Sequence, residues 1–186
     1  MREACRQLKS WRREGLAPMR IAVNVSPIQF RSKDFLRCIE RLVDDTGIDP
    51  SSLELELTEG TIMKQVEEAA RTLDSLKELG VGISLDDFGT GYSSLSYLSM
   101  LPIDKIKVDR SFIRDIERNA RSLAVTETMI ALAKKLRVQV VAEGVESPLA
   151  LELLRERGCD LGQGYLLGRP LPAPLVSGWL RNQAGG

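Results

Sequence analysis

The sequence predicts an α/β fold, a TIM-type (β/α) barrel that is incomplete, with about six of its eight strands present. Three observations predict it. Short apolar runs alternate with longer segments of helical period along the chain. Almost every run carries a polar or acidic residue at or just beyond its carboxyl end, as a barrel requires when it brings all strand ends to one rim; a doubly wound sheet concentrates its ligands at one switch point. The chain has 186 residues, whereas a complete barrel takes about 250, at roughly 30 per βα unit. It is therefore about two units short.

The elements follow in order. Residues 21–25 form the first strand candidate, with Asn24 near its end, and Phe35, Ile39, Leu42 and Val43 form the apolar stripe of the next helix. Residues 53–57 form the second strand, ending in Glu56 and followed by Glu59. Ile62, Val66, Leu73 and Leu76 make a second stripe that closes on Gly80, a helix C′ position. Residues 81–85 are the third strand and run straight into Asp86-Asp87. Residues 105–108 are the fourth, carrying Lys107 and followed by Asp109. An amphipathic stretch over 122–136 leads to the strand at 139–142, after which come Glu143 and Glu146. A last helix over 148–157 closes on Gly158 and precedes the strand at 161–166, which contains Gln163. Strand and helix alternating in this way imply parallel strands with right-handed crossovers. No linker or short repeat interrupts them, so residues 1–186 read as a single, partial domain.

Lys+Arg number 26 and Asp+Glu 26, a balance that argues against a polybasic surface for DNA, RNA or membranes. Cys5, Cys38 and Cys159 are scattered, with no CxxC pair, which fits neither a zinc site nor a disulfide framework and points to the reducing cytoplasm. No apolar run approaches the ~20 residues that span a bilayer, so direct membrane insertion is not expected. There is no histidine; a metal here must be held by oxygen, which favours Mg²⁺, Mn²⁺ or Ca²⁺ over zinc.

The run Asp86-Asp87-Phe88-Gly89-Thr90-Gly91 is the most informative part of the chain. Two adjacent carboxylates at the mouth of a buried strand need a cation or a basic partner. Singly, the other polar residues have plainer readings. Asn24 can form a turn before Pro27, Glu56 can lie on a solvated strand face, Lys105 can sit at a strand entrance, and Glu143 and Glu146 can cap a helix. Arg12, Arg13, Lys134 and Lys135 read as solvated helix faces. Lys107 is harder to set aside, because an ammonium inside a barrel needs carboxylate or phosphate partners. Gln163, between Gly162 and Gly164, marks a close approach of ligand or backbone. Together they make a site for metal-assisted chemistry on an anionic substrate. Two chemistries fit: a metal pair clamping a phosphodiester, or Lys107 as the base of an enolase-like proton abstraction beside one Mg²⁺. The adjacent aspartates favour the first.

Read in order, Asn24-Val25-Ser26, Glu56-Leu57-Thr58-Glu59, the DDFGTGYSSL run from Asp86, Lys107-Val108-Asp109-Arg110-Ser111-Phe112, Ala142-Glu143-Gly144-Val145-Glu146 and Gly162-Gln163-Gly164-Tyr165 closely resemble the EAL family of cyclic di-GMP phosphodiesterases. The resemblance runs from near Arg6 to about Leu171. It implies a cytoplasmic, dimeric barrel that opens cyclic di-GMP to linear pGpG in bacterial second-messenger signalling, using two Mg²⁺ or Mn²⁺ ions. By position, Asn24, Glu56 and Asp86 would bind the first ion, and Asp86 and Asp87 the second. Lys107 would hold the attacking water or the developing charge, Glu143 would be the candidate base, and Gln163 would orient it. Glu59 resembles the glutamate that anchors the loop over residues 88–94, linking dimerisation to metal binding. Asp109 and Glu146 are secondary members of the site. Gly60 stands where many relatives carry serine.

The departure is at the front. No Glu-Ala-Leu tripeptide occurs, and residues 4–11 match the helix that follows that strand in the family. The expectation is an amino-terminally truncated domain with one metal ligand missing and two open sheet edges. Upstream sensory or diguanylate cyclase domains fit this expectation. So does an alternative function, a catalytically inactive module that binds cyclic di-GMP, dimerises or acts as a scaffold.

Overall fold

A computed structural model describes residues 1–16, 19–91 and 95–183. The chain opens with helix α1 (Arg2–Arg13), which buries Cys5, Leu8 and Trp11. Strand β1 (Ile21–Asn24) follows, then α2 (Pro27–Phe30), closed at its start by a capping box between Ser26 and Gln29, and α3 (Phe35–Thr46). A 3₁₀ turn at Pro50–Ser52 leads into β2 (Leu53–Thr58). The second helical stripe is split into α4 (Glu59–Ile62) and α5 (Val66–Glu78) rather than running as one helix. Next come β3 (Gly82–Phe88), α6 (Leu95–Leu98), β4 (Lys105–Val108), α7 (Arg110–Ile113) and α8 (Ala120–Leu136). The chain continues through β5 (Gln139–Glu143), α9 (Pro148–Glu156), β6 (Leu161–Gln163) and α10 (Ala173–Gln183).

The six strands lie in chain order, β1 to β6, and every neighbouring pair is parallel. This unreversed order is that of a singly wound (β/α) barrel; a doubly wound sheet would place a later strand on the far side of β1. The fold is thus the expected sector of a TIM-type barrel. Leu53, Leu55, Leu57, Ile83, Leu85, Ile106 and Val108 are fully buried, facing the helices, and Leu73, Leu76, Ile130 and Ala133 meet them from the helix layer. The alternate residues of the same strands face inward, and these are the polar ones.

Strand boundaries differ from expectation by more than one residue at two places. The third strand extends through Phe88, so Asp86 and Asp87 lie inside it rather than beyond it. The last strand stops at Gln163, because the Leu166 amide turns back to the Val145 carbonyl at 3.1 Å. Among the described residues no helix is long and apolar enough to cross a membrane.

Candidate metal and phosphodiester site

The site begins with a fault in the sheet. Leu85 pairs with Ile106 and Phe88 with Val108, so two residues of β3, Asp86 and Asp87, stand opposite the single residue Lys107 of β4. This is a β-bulge. Neighbours on a regular strand point to opposite faces, but Asp87 takes a left-handed backbone with φ of 54°. Aspartate tolerates that conformation better than most residues. Carboxylate oxygens of Asp86, Asp87 and Glu143 consequently lie within 4.8 Å of one another.

Lys107 is at the centre. Its Nζ lies 2.7 Å from Glu143 Oε1, 2.9 Å from Glu56 Oε1 and 3.0 Å from Asp86 Oδ1, with only 7% of the side chain exposed. Burial opposes the ammonium charge, but the carboxylates of Glu143, Glu56 and Asp86 more than offset it and raise the pKa above that of an ordinary lysine. A carboxylate paired with lysine would usually be lowered. Glu143 is instead raised, because burial and the charges of Asp86 and Glu56 outweigh a lysine shared three ways. Burial, Asp86 and Asp109 also raise Asp87.

The other expected site residues are distributed around this core. Asn24 is exposed on edge strand β1, in register with Glu56. Gln163 is exposed on β6, in register with Glu143, and its carbonyl accepts the Val145 amide at 3.0 Å. Glu59 starts α4, is 3% exposed, and its Oε2 accepts the Gly89 amide at 3.2 Å. A Cβ added at Gly91 would stand 2.5 Å from Glu59 Oε1, so the loop backbone rests directly on this carboxylate. Tyr92, Ser93 and Ser94 of that loop lie outside the described residues. Asp109 caps α7, accepting the Ser111 amide at 2.9 Å, which together with Arg110 holds its carboxyl below the usual range against the effect of burial. Glu146 is exposed and does not cap α9; Ser147 does, accepting the Ala150 amide at 3.0 Å. Lys105 is likewise not a bystander at a strand entrance.

Lys105 belongs to a second polar tier that sequence reasoning missed. Its Nζ lies 2.6 Å from Glu54 Oε2, Arg20 Nη1 approaches the same oxygen at 3.4 Å, and the Ser84 hydroxyl donates to Glu54 Oε1. Glu54, Ser84 and Lys105 stand two residues before Glu56, Asp86 and Lys107 on the same strands, so the tier repeats the site's strand positions nearer the amino-terminal ends. The i, i+2 spacing was the available signal, since both residues of each pair share a face.

Four carboxylates, Glu56, Asp86, Asp87 and Glu143, face one ammonium. Asp86 Oδ1 is buried without a hydrogen-bond donor; its approach to Lys107 is an ion pair lacking hydrogen-bond angles. An acidic excess on hard oxygen donors, with one buried oxygen held only by a lysine shared three ways, fits a divalent cation of the Mg²⁺ or Mn²⁺ type.

Comparison with known proteins agrees. The chain is 44% identical over 181 residues to the cyclic di-GMP phosphodiesterase NbdA of Pseudomonas aeruginosa, covering 97% of this chain and 23% of NbdA. It is similar to the solved PaMucR phosphodiesterase in complex with c-di-GMP, with a TM-score of 0.91 and 42% identity over 94% of this chain and 71% of that one. The Klebsiella pneumoniae BlrP1 manganese and cyclic-di-GMP complex also resembles it, at a TM-score of 0.81 and 29% identity over 91% of this chain and 42% of that one. The chain thus spans under a quarter of its curated relative's length. The family model for the EAL domain matches residues 1–170; on that match, together with the strand order and the inward-facing acidic cluster, the chain belongs to the EAL domain family.

Proposed function

We propose that residues 1–186 form part of a single EAL domain of a cytoplasmic phosphodiesterase that hydrolyses cyclic di-GMP to pGpG with two Mg²⁺ or Mn²⁺ ions. The observation that carries this reading is Lys107 within 3.0 Å of three carboxylates, beside an Asp86, Asp87 and Glu143 cluster at the carboxyl ends of parallel strands. Asn24, Glu56 and Asp86 would hold one ion, and Asp86 and Asp87 the other. Bound there, the ions would supply charge neutralisation of the phosphodiester and a water ionised near neutral pH.

The chain's own residues account for the rest. The Glu143 carboxylate, whose affinity for a proton is raised by burial and by the charges of Asp86 and Glu56, would act as the base. Lys107 Nζ faces the same point and would stabilise negative charge developing on the phosphoryl oxygens. Gln163, paired with Glu143 across β5 and β6, would orient the base. Glu59 beneath Gly89 and Gly91 would tie the glycine-rich loop to the site, and Asp109 and Glu146 would act at its margin. The length of NbdA beyond the matched part leaves room for sensory or cyclase domains.

A second reading is favoured by the edges. Among the described residues β1 and β6 each pair on one side only, and Leu161, Tyr165, Leu167, Leu171 and Trp179 are exposed around β6 and α10. Such a surface suits homodimerisation or a binding module without turnover. Chromatographic assay of pGpG from cyclic di-GMP and Mn²⁺ separates the two, using this chain and a version extended upstream by a strand carrying Glu-Ala-Leu. Turnover by the extended protein supports the first reading. Its inactivity, with binding retained by calorimetry, supports the second.

A further inference from the structure

We infer that a cavity between the α2–α3 and α4–α5 segments binds a small organic phosphate, in class a nucleoside monophosphate. The cavity has a volume of about 280 Å³, close to the ~300 Å³ lower bound of small-molecule sites. That is room for one flat ring and one phosphate rather than a cyclic dinucleotide. None of the acidic site residues lines it.

Its walls have two chemistries. Phe30 and Phe35 are buried and meet edge to face at 5.6 Å, and with Leu36 and Ala69 they give an apolar floor for a planar ring. The rim carries Arg31, Lys33 and Lys64 against the single carboxylate of Glu68. That excess of two positive charges matches a phosphomonoester, which carries about −1.5 to −2 at neutral pH.

The cations are uncommitted. Arg31 Nε donates to the Pro27 carbonyl at 3.0 Å, which fixes the guanidinium, while its terminal nitrogens form no ion pair among the described residues. Lys33 and Lys64 form no ion pair or side-chain hydrogen bond among those residues. The thirteen-residue helix α5 follows directly on Lys64 and Gln65 of the rim, and its N-cap Gln65 makes no side-chain cap bond. Glu67 and Glu68 in its first turn already complement part of the helix dipole, so the three basic side chains carry the recognition.

Calorimetry of the chain in EDTA tests this, with AMP and GMP as probes and guanosine and inorganic phosphate as controls. One site is expected for either nucleotide. Loss of the phosphate, or the Lys33→Glu/Lys64→Glu double variant, should weaken binding by about tenfold or more. The Asp86→Asn/Asp87→Asn variant should bind as the parent does. Circular dichroism checks the fold of each variant, and Lys64→Gln replaces the double variant should that one fail to fold. No binding of either nucleotide, binding indifferent to these lysine changes, or binding lost with Asp86 and Asp87 would overturn the assignment.

Discussion

Lys107 Nζ lies 2.7 Å from Glu143 Oε1, linking β4 to β5 through a buried ion pair at the centre of four carboxylates. The same nitrogen also holds Glu56 on β2 and Asp86 on β3. One ammonium therefore joins four successive strands of the sheet. Its removal is a test of both stability and chemistry.

Lys107→Met should destabilise the metal-free chain by about 3–5 kcal/mol, the usual cost of leaving buried charges unpaired. Glu143, already raised by burial, would lose the lysine that lowers it and bind its proton more tightly folded than unfolded, so the variant's stability should fall as pH rises through the carboxylate range. Urea denaturation at several pH values measures this. A loss under about 1 kcal/mol would show that the carboxylates do not depend on the lysine.

The Glu54 tier gives the opposite pH dependence. Burial alone would raise Glu54, but hydrogen bonds from Lys105 and Ser84 and the approach of Arg20 hold it below its ordinary value. A depressed carboxylate contributes stability that is present above its unfolded pKa, about 4.3, and lost as pH falls through the folded one. Glu54→Gln should therefore cost about 3 kcal/mol at pH 7, and the gap to the parent should close in acid. An equal gap at pH 7 and pH 3 would contradict this.

The contrast between these tiers shows what the sequence made legible. Parallel strands in sequence, the helices α3, α5, α8 and α9, and the placing of Asn24, Glu56, Asp86, Lys107, Glu143 and Gln163 at successive strand ends are readable, because periodicity and parallel topology place them without any knowledge of contacts. The bulge was not readable. That Asp86 and Asp87 both face the site depends on a φ of 54° and a slip against β4, which no local propensity encodes. Glu54 and Lys105 were passed over because each has an unremarkable neighbour pattern alone. Only the pairing of β2, β3 and β4 makes them partners. The break between α4 and α5 was hidden in the same way, since Ile62 and Val66 keep a helical spacing across it.

Asp87 should be costly without metal and needed with it. Its carboxyl is raised by burial and by Asp86, so Asp87→Asn should stabilise the chain in EDTA, by no more than about 1 kcal/mol given solvent screening. Asparagine also tolerates the left-handed backbone. In Mn²⁺ the same variant should lose most of the metal-induced rise in Tm. Thermal melts with and without Mn²⁺ check both arms; an undiminished metal shift would remove Asp87 from the ligand set.

Gly89 has φ of +96°, and a Cβ there would run into Met129 and approach Phe112 at 3.0 Å. Gly89→Ala should cost about 1–3 kcal/mol from backbone strain, with displacement of those two side chains added. It should also release the amide that Glu59 accepts. Hydrogen exchange at Gly89 and a melting curve report the two effects, and unchanged protection would separate the glycine from its Glu59 anchor.

Hydrolysis as proposed requires water to attack a phosphodiester at the Asp86, Asp87 and Lys107 site. It is tested most directly by incubating the upstream-extended protein with cyclic di-GMP and Mn²⁺ in H₂¹⁸O, followed by mass spectrometry. The expected product is pGpG carrying one heavy oxygen on its terminal phosphate, with none formed by Asp86→Asn. Recovery of intact cyclic di-GMP, or of linear product without the label, would contradict it.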